Sequence, residues 1–334
     1  MKSNIRLALI GAGSFAGTMH YPALSRMGDV ELSAICDVNE EKLKSTGEKF
    51  GIKKTFTDYR KMLDEVKPDA VYVIMPPYLI FDVAADVIER KYPLFVEKPP
   101  AVTSMQAECL GRMALKNNVL TAVGFQRRYH PLVHACWQTF NGAQPVPHAV
   151  FSYYKCVSAE YPYYRGAMSI LHCDAIHAID AARYYCGLSE LKNIKALVRK
   201  DDFWYQSSFE VLVEFENGNS AVLLIRWRSG RRFLEFEFNA PGKLAVIDTD
   251  GKGKVWADNN TAPVFSSNCS AIVKSDEYII MSGIFAENRA FIDAVKNGNT
   301  LHNSIQDAAE SMKLADEIYR CAENYTVNEV SKCS

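Results

Sequence analysis

Ile5-Arg6-Leu7-Ala8-Leu9-Ile10-Gly11-Ala12-Gly13-Ser14-Phe15-Ala16-Gly17 is the stretch that decides the fold. An apolar strand, Ile5 to Ile10, runs into a glycine turn. Residues 14–26 then read as a helix, with Phe15, Met19, Tyr21 and Leu24 among its apolar positions. Gly11 permits the tight turn, Gly13 lets a pyrophosphate approach the backbone, and Ala16 lets the helix pack close to the strand. The helix start, at Ser14 and Phe15, offers unpaired N–H groups to phosphates. A second strand, Val30 to Cys36, ends at Asp37, which lies 24 residues beyond Gly13. That is near the offset of about 20 for an acidic ribose partner. A dinucleotide-binding turn is the expectation. The other reading is a structural turn with Asp37 as a helix cap.

Outward from this turn the first third alternates. Helices are expected at Glu40 to Phe50, Asp58 to Val66, Ile80 to Glu89 and Ser104 to Lys116, and strands at Ala70 to Met75, Leu94 to Val96 and Val119 to Val123. Near-continuous apolar strands separated by helices imply a parallel sheet covered on both faces. Residues 1–124 are expected to form one doubly wound α/β domain.

Residues 125–334 change character. After a helix near 131–140, strands are expected at 148–156, 193–199, 207–216, 219–228, 232–239, 243–248 and 253–256, with a helix over about 170–186. Glu216-Asn217-Gly218-Asn219 is a hairpin turn. Two helices close the chain, the second starting after Ser304 with Asp307 placed as in a capping box. This predicts a C-terminal α+β domain on an open, mainly antiparallel sheet.

Composition narrows the function classes. At 334 residues the chain exceeds one comfortable core. A formal net charge of −1 gives no electrostatic reason to expect nucleic acid or a membrane surface as partner. No apolar run reaches the roughly 20 residues of a bilayer span. Nine cysteines are scattered singly, which fits reduced cytoplasmic thiols better than a disulfide framework or a zinc site.

Glu97-Lys98-Pro99-Pro100 follows the strand Leu94 to Val96. A charged pair ending a buried strand is unusual, because ionisable groups are rarely buried without a task or a partner. At the carboxyl edge of a nucleotide-binding sheet, Lys98 could reach both a nicotinamide ring and a substrate hydroxyl. The bland reading is a structural ion pair. Asp174, His177 and Asp180, spaced three apart in the helix expected over 170–186, form one polar stripe. Flanking carboxylates orient an imidazole and make it a base candidate. The same cluster can be read as a metal site. No metal is expected, since hydride transfer from an alcohol needs none when a lysine and a histidine are available.

The order Gly11-x-Gly13-x-x-Ala16, Asp37, Met75-Pro76-Pro77, Glu97-Lys98-Pro99, Gly124-Phe125-Gln126-Arg127-Arg128-Tyr129 and His177-x-x-Asp180 resembles the Gfo/Idh/MocA oxidoreductases. The resemblance implies a Rossmann domain, a sheet domain that mediates homodimers or homotetramers, and NAD(P)-dependent chemistry on a sugar, inositol or related polyol. It puts Gly11, Gly13, Ser14, Phe15, Ala16, Asp37, Met75, Pro76, Pro77, Glu97 and Lys98 at the cofactor. The family's lysine falls on Lys98 and its histidine on His177. His177 is then the general base and Lys98 the stabiliser of developing oxyanion charge, with Asp174 as third member. Lys98, Arg128, Tyr164, Arg165, Asp174 and His177 are the substrate-binding candidates. NAD rather than NADP is expected, because Asp37 would repel a 2′-phosphate.

Two departures from the family pattern stand out. The aspartate often found four residues before the histidine is Cys173 here, with Asp174 one residue later. A histidine often seen after the Pro-Pro turn is Ile80. Two other classes remain open: a redox-assisted, NAD-dependent glycoside hydrolase, which needs the same hydride apparatus, and a non-catalytic nucleotide-sensing regulator on the same fold.

Overall fold

The computed structural model describes residues 4–157, 161, 162, 164 and 167–324. The chain divides into two compact units, Met1–His130 with Ser275–Glu310, and Pro131–Lys274 with Ser311–Ser334.

In the first unit, β1 (Ile5–Ile10), β2 (Val30–Cys36), β3 (Thr55–Phe56), β4 (Ala70–Val73), β5 (Leu94–Val96) and β6 (Thr121–Val123) form a parallel sheet in the order β3-β2-β1-β4-β5-β6. The expected Rossmann α/β domain is present. The order reverses between β1 and β4, so the carboxyl ends of these strands open the crevice where such sheets take ligands. Strands β4, β5 and β6 are buried along their whole length, as their near-continuous apolar sequences require. Helix Pro77–Glu89 starts three residues earlier than expected. Pro77 takes its first position, where a missing N–H costs nothing.

The closing segment 275–310, read from the sequence with the second domain, packs in the first unit. Phe291 and Ile292, on helix Ile284–Asn297, join the core around Tyr72, Phe95 and Leu9. Phe291 meets the edges of Tyr72 and Phe95 at 5.4 and 5.7 Å between ring centres. Arg289 and Lys296 of the same helix both pair with Asp29, just before β2, the first at 2.7 Å. Burial of large aromatics on a helix face brings several kcal/mol in order of magnitude, and this decides where the segment goes.

In the second unit, β7 (His148–Cys156), β8 (Leu191–Arg199), β9 (Ser208–Phe215), β10 (Ser220–Arg226), β11 (Arg228–Ala240), β12 (Lys243–Asp248), β13 (Lys252–Ala257) and β14 (Phe265–Asn268) build a sheet ordered β14-β13-β12-β11-β7-β10-β9-β8. It is antiparallel except where β10 runs parallel to β7. Strand β14 has no alternating apolar pattern and was not expected. Strand β9 alternates as its sequence does: Phe209, Val211, Val213 and Phe215 are buried, while Leu212 on the other face is 48% exposed.

Helix Ile176–Tyr185 is shorter than the expected 170–186. Residues 171–175 form turns instead, with Asp174 and Ala175 both donating backbone N–H to the Ile170 carbonyl. Asp174 therefore lies on the turn leading into the helix, and the three-residue stripe of Asp174, His177 and Asp180 along one helix is corrected to a turn residue followed by two helical ones.

Candidate active site

In the first unit the candidate site is built at the carboxyl edge of the sheet. Gly11 has φ +113° and donates its N–H to the Cys36 carbonyl at 2.8 Å. A Cβ there would run into the Ile74 carbonyl oxygen, so only glycine fits. At Gly13 a Cβ would meet no protein atom within 4 Å, which leaves that side of the loop open to a bound group. Residues 14–24 form one helical run, in which Ala16–His20 is wound as a π-helix. Ser14 and Phe15 at its start are exposed and Ala16 is buried. Tyr21 donates its hydroxyl to the Gly11 carbonyl at 3.0 Å; burial, with Asp37 nearby, pushes this phenol up and keeps it protonated.

Asp37 is half-buried at the end of β2. Its carboxylate accepts from the Ala12 N–H at 2.8 Å and the Asn39 N–H at 2.9 Å, which fixes it beside the glycine loop. Asn39, and not Asp37, caps the next helix by accepting from the Lys42 N–H. Val38 is 89% exposed and, like Asn39, brings no positive charge. Met75 is half-buried, Pro76 exposed and Pro77 buried after β4. Ile80 is fully buried and fills a core position. Loop geometry, open backbone and a carboxylate at the end of β2 fit a dinucleotide.

Glu97 and Lys98 follow β5. Glu97 is 8% exposed and Lys98 half-buried. Glu97 accepts the Lys98 backbone N–H at 3.0 Å and pairs with His20 Nε2 at 2.9 Å. The Lys98–Pro99 peptide bond is cis. Arg128 differs from its expected role as a substrate residue. Its guanidinium is fully buried, pairing with Asp307 and donating to the His302 carbonyl, so it ties the turn Gln126–Tyr129 to the returning segment.

In the second unit Asp174 pairs with Lys155, near the end of β7. The Lys155 ammonium lies over the rings of Trp227 and Tyr153, at 5.5 and 5.8 Å from their centres. His177 is 4% exposed and Asp180 fully buried. Asp180 accepts from Ser311 Oγ at 2.9 Å, and Arg183 donates to the same hydroxyl at 2.8 Å. His172 bridges Ser169 at 2.8 Å and Asp316 at 2.7 Å. The polar cluster of the sequence is thus split over separate pairings. Among the described residues no three His, Cys, Asp or Glu side chains gather as a metal set. Cys173 is fully buried. Tyr164 is half-buried, and Arg165 lies outside the described residues.

Lys155, His20 and Asn288 were not singled out from the sequence. Lys155 had a signal: it shares a strand face with Tyr153, an ionisable group closing an apolar strand as Lys98 does. His20 and Asn288 had none, because their meeting depends on the return of 275–310.

Residues 5–125 match the profile of the Gfo/Idh/MocA oxidoreductase family, described as having an NAD-binding Rossmann fold. An uncharacterized oxidoreductase, YrbE of Bacillus subtilis, is 26% identical over 277 residues, covering 81% of this chain and 74% of that one. Myo-inositol 2-dehydrogenase of Thermotoga maritima is 26% identical over 270 residues, covering 76% of this chain and 75% of that one. The solved structure of a dehydrogenase from Chromobacterium violaceum superposes with a TM-score of 0.85 at 20% identity, covering 96% of both chains. The protein defined by this fold and loop is a dinucleotide-binding oxidoreductase. Residues 5–125 carry the NAD-binding Rossmann fold of the Gfo/Idh/MocA oxidoreductase family.

Proposed function

We propose that this oxidoreductase transfers hydride between NAD and a hydroxyl-bearing carbon of an inositol, sugar or related polyol. The observation that carries the reading lies within one sheet edge: Gly11–Gly13 after β1, Asp37 after β2 and Glu97–Lys98 after β5 sit at carboxyl ends around the strand-order reversal. The 26% identity with myo-inositol 2-dehydrogenase over most of both chains supports the substrate class.

Gly11, Gly13, Ser14, Phe15, Ala16 and Asp37 would hold the dinucleotide, with Met75, Pro76, Pro77, Glu97 and Lys98 along the same edge. When bound, the nicotinamide supplies the hydride acceptor. Lys98 donates a hydrogen bond to the substrate oxygen and stabilises the charge that develops there. His177 takes the hydroxyl proton as general base. Asp174, held by Lys155, binds a neighbouring hydroxyl. Asp37 selects NAD over NADP. The open face of the second sheet, with Leu197 and Leu212 exposed, pairs with another copy. The nine singly scattered cysteines favour a cytoplasmic setting. NADH absorbance measured with NAD and a panel of inositols, aldoses and glycosides tests the reading. Formation of NADH with at least one polyol is expected; tight NAD binding with no NADH from any of them would sink it.

A further inference from the structure

His20, on the helical run after the glycine loop, is fully buried, and each of its ring nitrogens meets an oxygen. Nδ1 lies 3.2 Å from Asn288 Oδ1 and Nε2 lies 2.9 Å from Glu97 Oε1. The Asn288 amide nitrogen donates to the Ile284 carbonyl at 2.7 Å, which commits its oxygen to His20. An amide oxygen only accepts, so Nδ1 carries its proton. A neutral imidazole would then present a lone pair on Nε2 to a carboxylate, setting acceptor against acceptor. The network closes only with one further proton between them, and placing it on Nε2 gives an imidazolium facing a carboxylate.

The other Glu97 oxygen accepts the Lys98 N–H at 3.0 Å. Both carboxylate oxygens are thus engaged, one by His20 and one by the lysine's own backbone. The surroundings are shaped for this arrangement. Phe95, Phe15 and Tyr72 place their rings 5.3, 5.7 and 6.1 Å from the His20 ring. A Cβ at Gly124 would strike the Glu97 carboxylate, so glycine there makes room for it. Removing one partner of a buried pair strands the other charge, so the pair persists only when both are held.

We propose that His20 and Asn288 form a positioning device that acts through Glu97 on Lys98. The chain Asn288–His20–Glu97–Lys98 joins the helix after the nucleotide loop, the end of β5 and the returning helix Ile284–Asn297. It fixes the backbone from which the Lys98 side chain departs. A small displacement of a positioned group costs rate, not binding. The device rests on the dehydrogenase reading only for its effect on turnover; the proton on His20 and the anchoring of Lys98 do not depend on it.

Three measurements on the full chain test this. With histidine-selective 15N labelling, one ring shows protons on both nitrogens, shielded from exchange, at pH 7. Glu97→Gln converts that ring to the neutral form protonated at Nδ1, because a glutamine amide donates to Nε2. A wild-type His20 carrying one ring proton overturns the pair. Acylation by an amine-reactive ester, read on the peptide containing Lys98, is at least about threefold faster in His20→Gln, since a loosened anchor frees the side chain. Unchanged labelling overturns the positioning role. With myo-inositol, or whichever polyol yields NADH, His20→Gln lowers kcat about tenfold while the KM for NAD stays within about twofold. A loss confined to KM overturns the role. Absence of turnover in the wild type counts against the dehydrogenase reading, and the labelling and ring-proton results then decide this one.

Discussion

The Lys155 ammonium is paired with the Asp174 carboxylate against the faces of Tyr153 and Trp227. Asp174 comes from the turn before helix Ile176–Tyr185, and Lys155 from β7, so a strand end and a helix entry are joined through opposite charges. The pair is part-buried, with the two side chains 24% and 7% exposed. Breaking it from either side leaves an uncompensated charge. Asp174→Asn should lower turnover with little change in NAD affinity, because it sits in the second unit. Lys155→Met should do the same, and Cys173→Ser should be nearly neutral. Steady-state kinetics with fluorescence titration of NADH checks this. If Asp174→Asn turns over normally, Asp174 has no substrate role.

Lys98→Ala and His177→Ala should each lower turnover by a factor on the order of 100 or more, the usual size for oxyanion stabilisation and proton transfer. His177→Ala should bind NAD as the wild type does. Single-turnover kinetics separates the chemical step from cofactor binding. A near-normal chemical step in either variant removes that residue from the mechanism.

Asp37, the proposed ribose partner, has its carboxylate fixed beside the glycine loop by the Ala12 and Asn39 N–H groups. Calorimetric titration should give tighter binding for NAD than for NADP. Asp37→Ala should narrow the gap, with some loss of NAD affinity because Ala12 loses its acceptor. Tighter NADP binding by the wild type would reverse the assignment.

Asp29 is held by Arg289 and Lys296, which lower its carboxyl to about 2. The folded form therefore favours the carboxylate more than the unfolded chain does. The resulting stability is present above the unfolded value of about 3.8 and is lost as pH falls from there through about 2. Since the carboxylate is about one-third exposed, solvent screening reduces it to about 1 kcal/mol. Asp29→Asn should cost about that much at pH 7 in urea unfolding, and the difference should close in acid. A difference that persists at pH 2 would assign the loss to packing.

Multi-angle light scattering should find a dimer or tetramer at micromolar concentration. Leu212→Lys on the exposed face of β9 should shift the population toward monomer. A wild-type monomer would end the pairing hypothesis for this sheet.

Much of the fold was legible because local patterns carried it. Strands β1, β2 and β5 fall where their apolar runs put them, and the Gly11 loop follows from the need for a residue that tolerates positive φ beside a carbonyl. The hairpin between β9 and β10 turns at Gly218, φ +83°, as its Asn-Gly sequence requires. What was hidden depends on distant meetings. Arg128 reads from the sequence as a substrate-binding candidate, whereas Asp307 and the His302 carbonyl engage it in the fold. Asp174 reads as helical because spacing of three suits a helix, yet the helix begins two residues later. His20 carries no sequence mark, since Glu97 and Asn288 lie 77 and 268 residues away.

The return of 275–310 to the first unit sets an order of events during synthesis. A ribosome completes β1 through β6 long before it reaches Phe291 and Ile292. The 160 residues between His130 and Phe291 take roughly 8–32 s at common elongation rates. During that interval Tyr72 and Phe95 wait without the aromatic lid that covers them in the finished molecule. The nascent nucleotide half is therefore the stage at which a chaperone would be expected to hold this chain, and its release would coincide with emergence of the penultimate long helix.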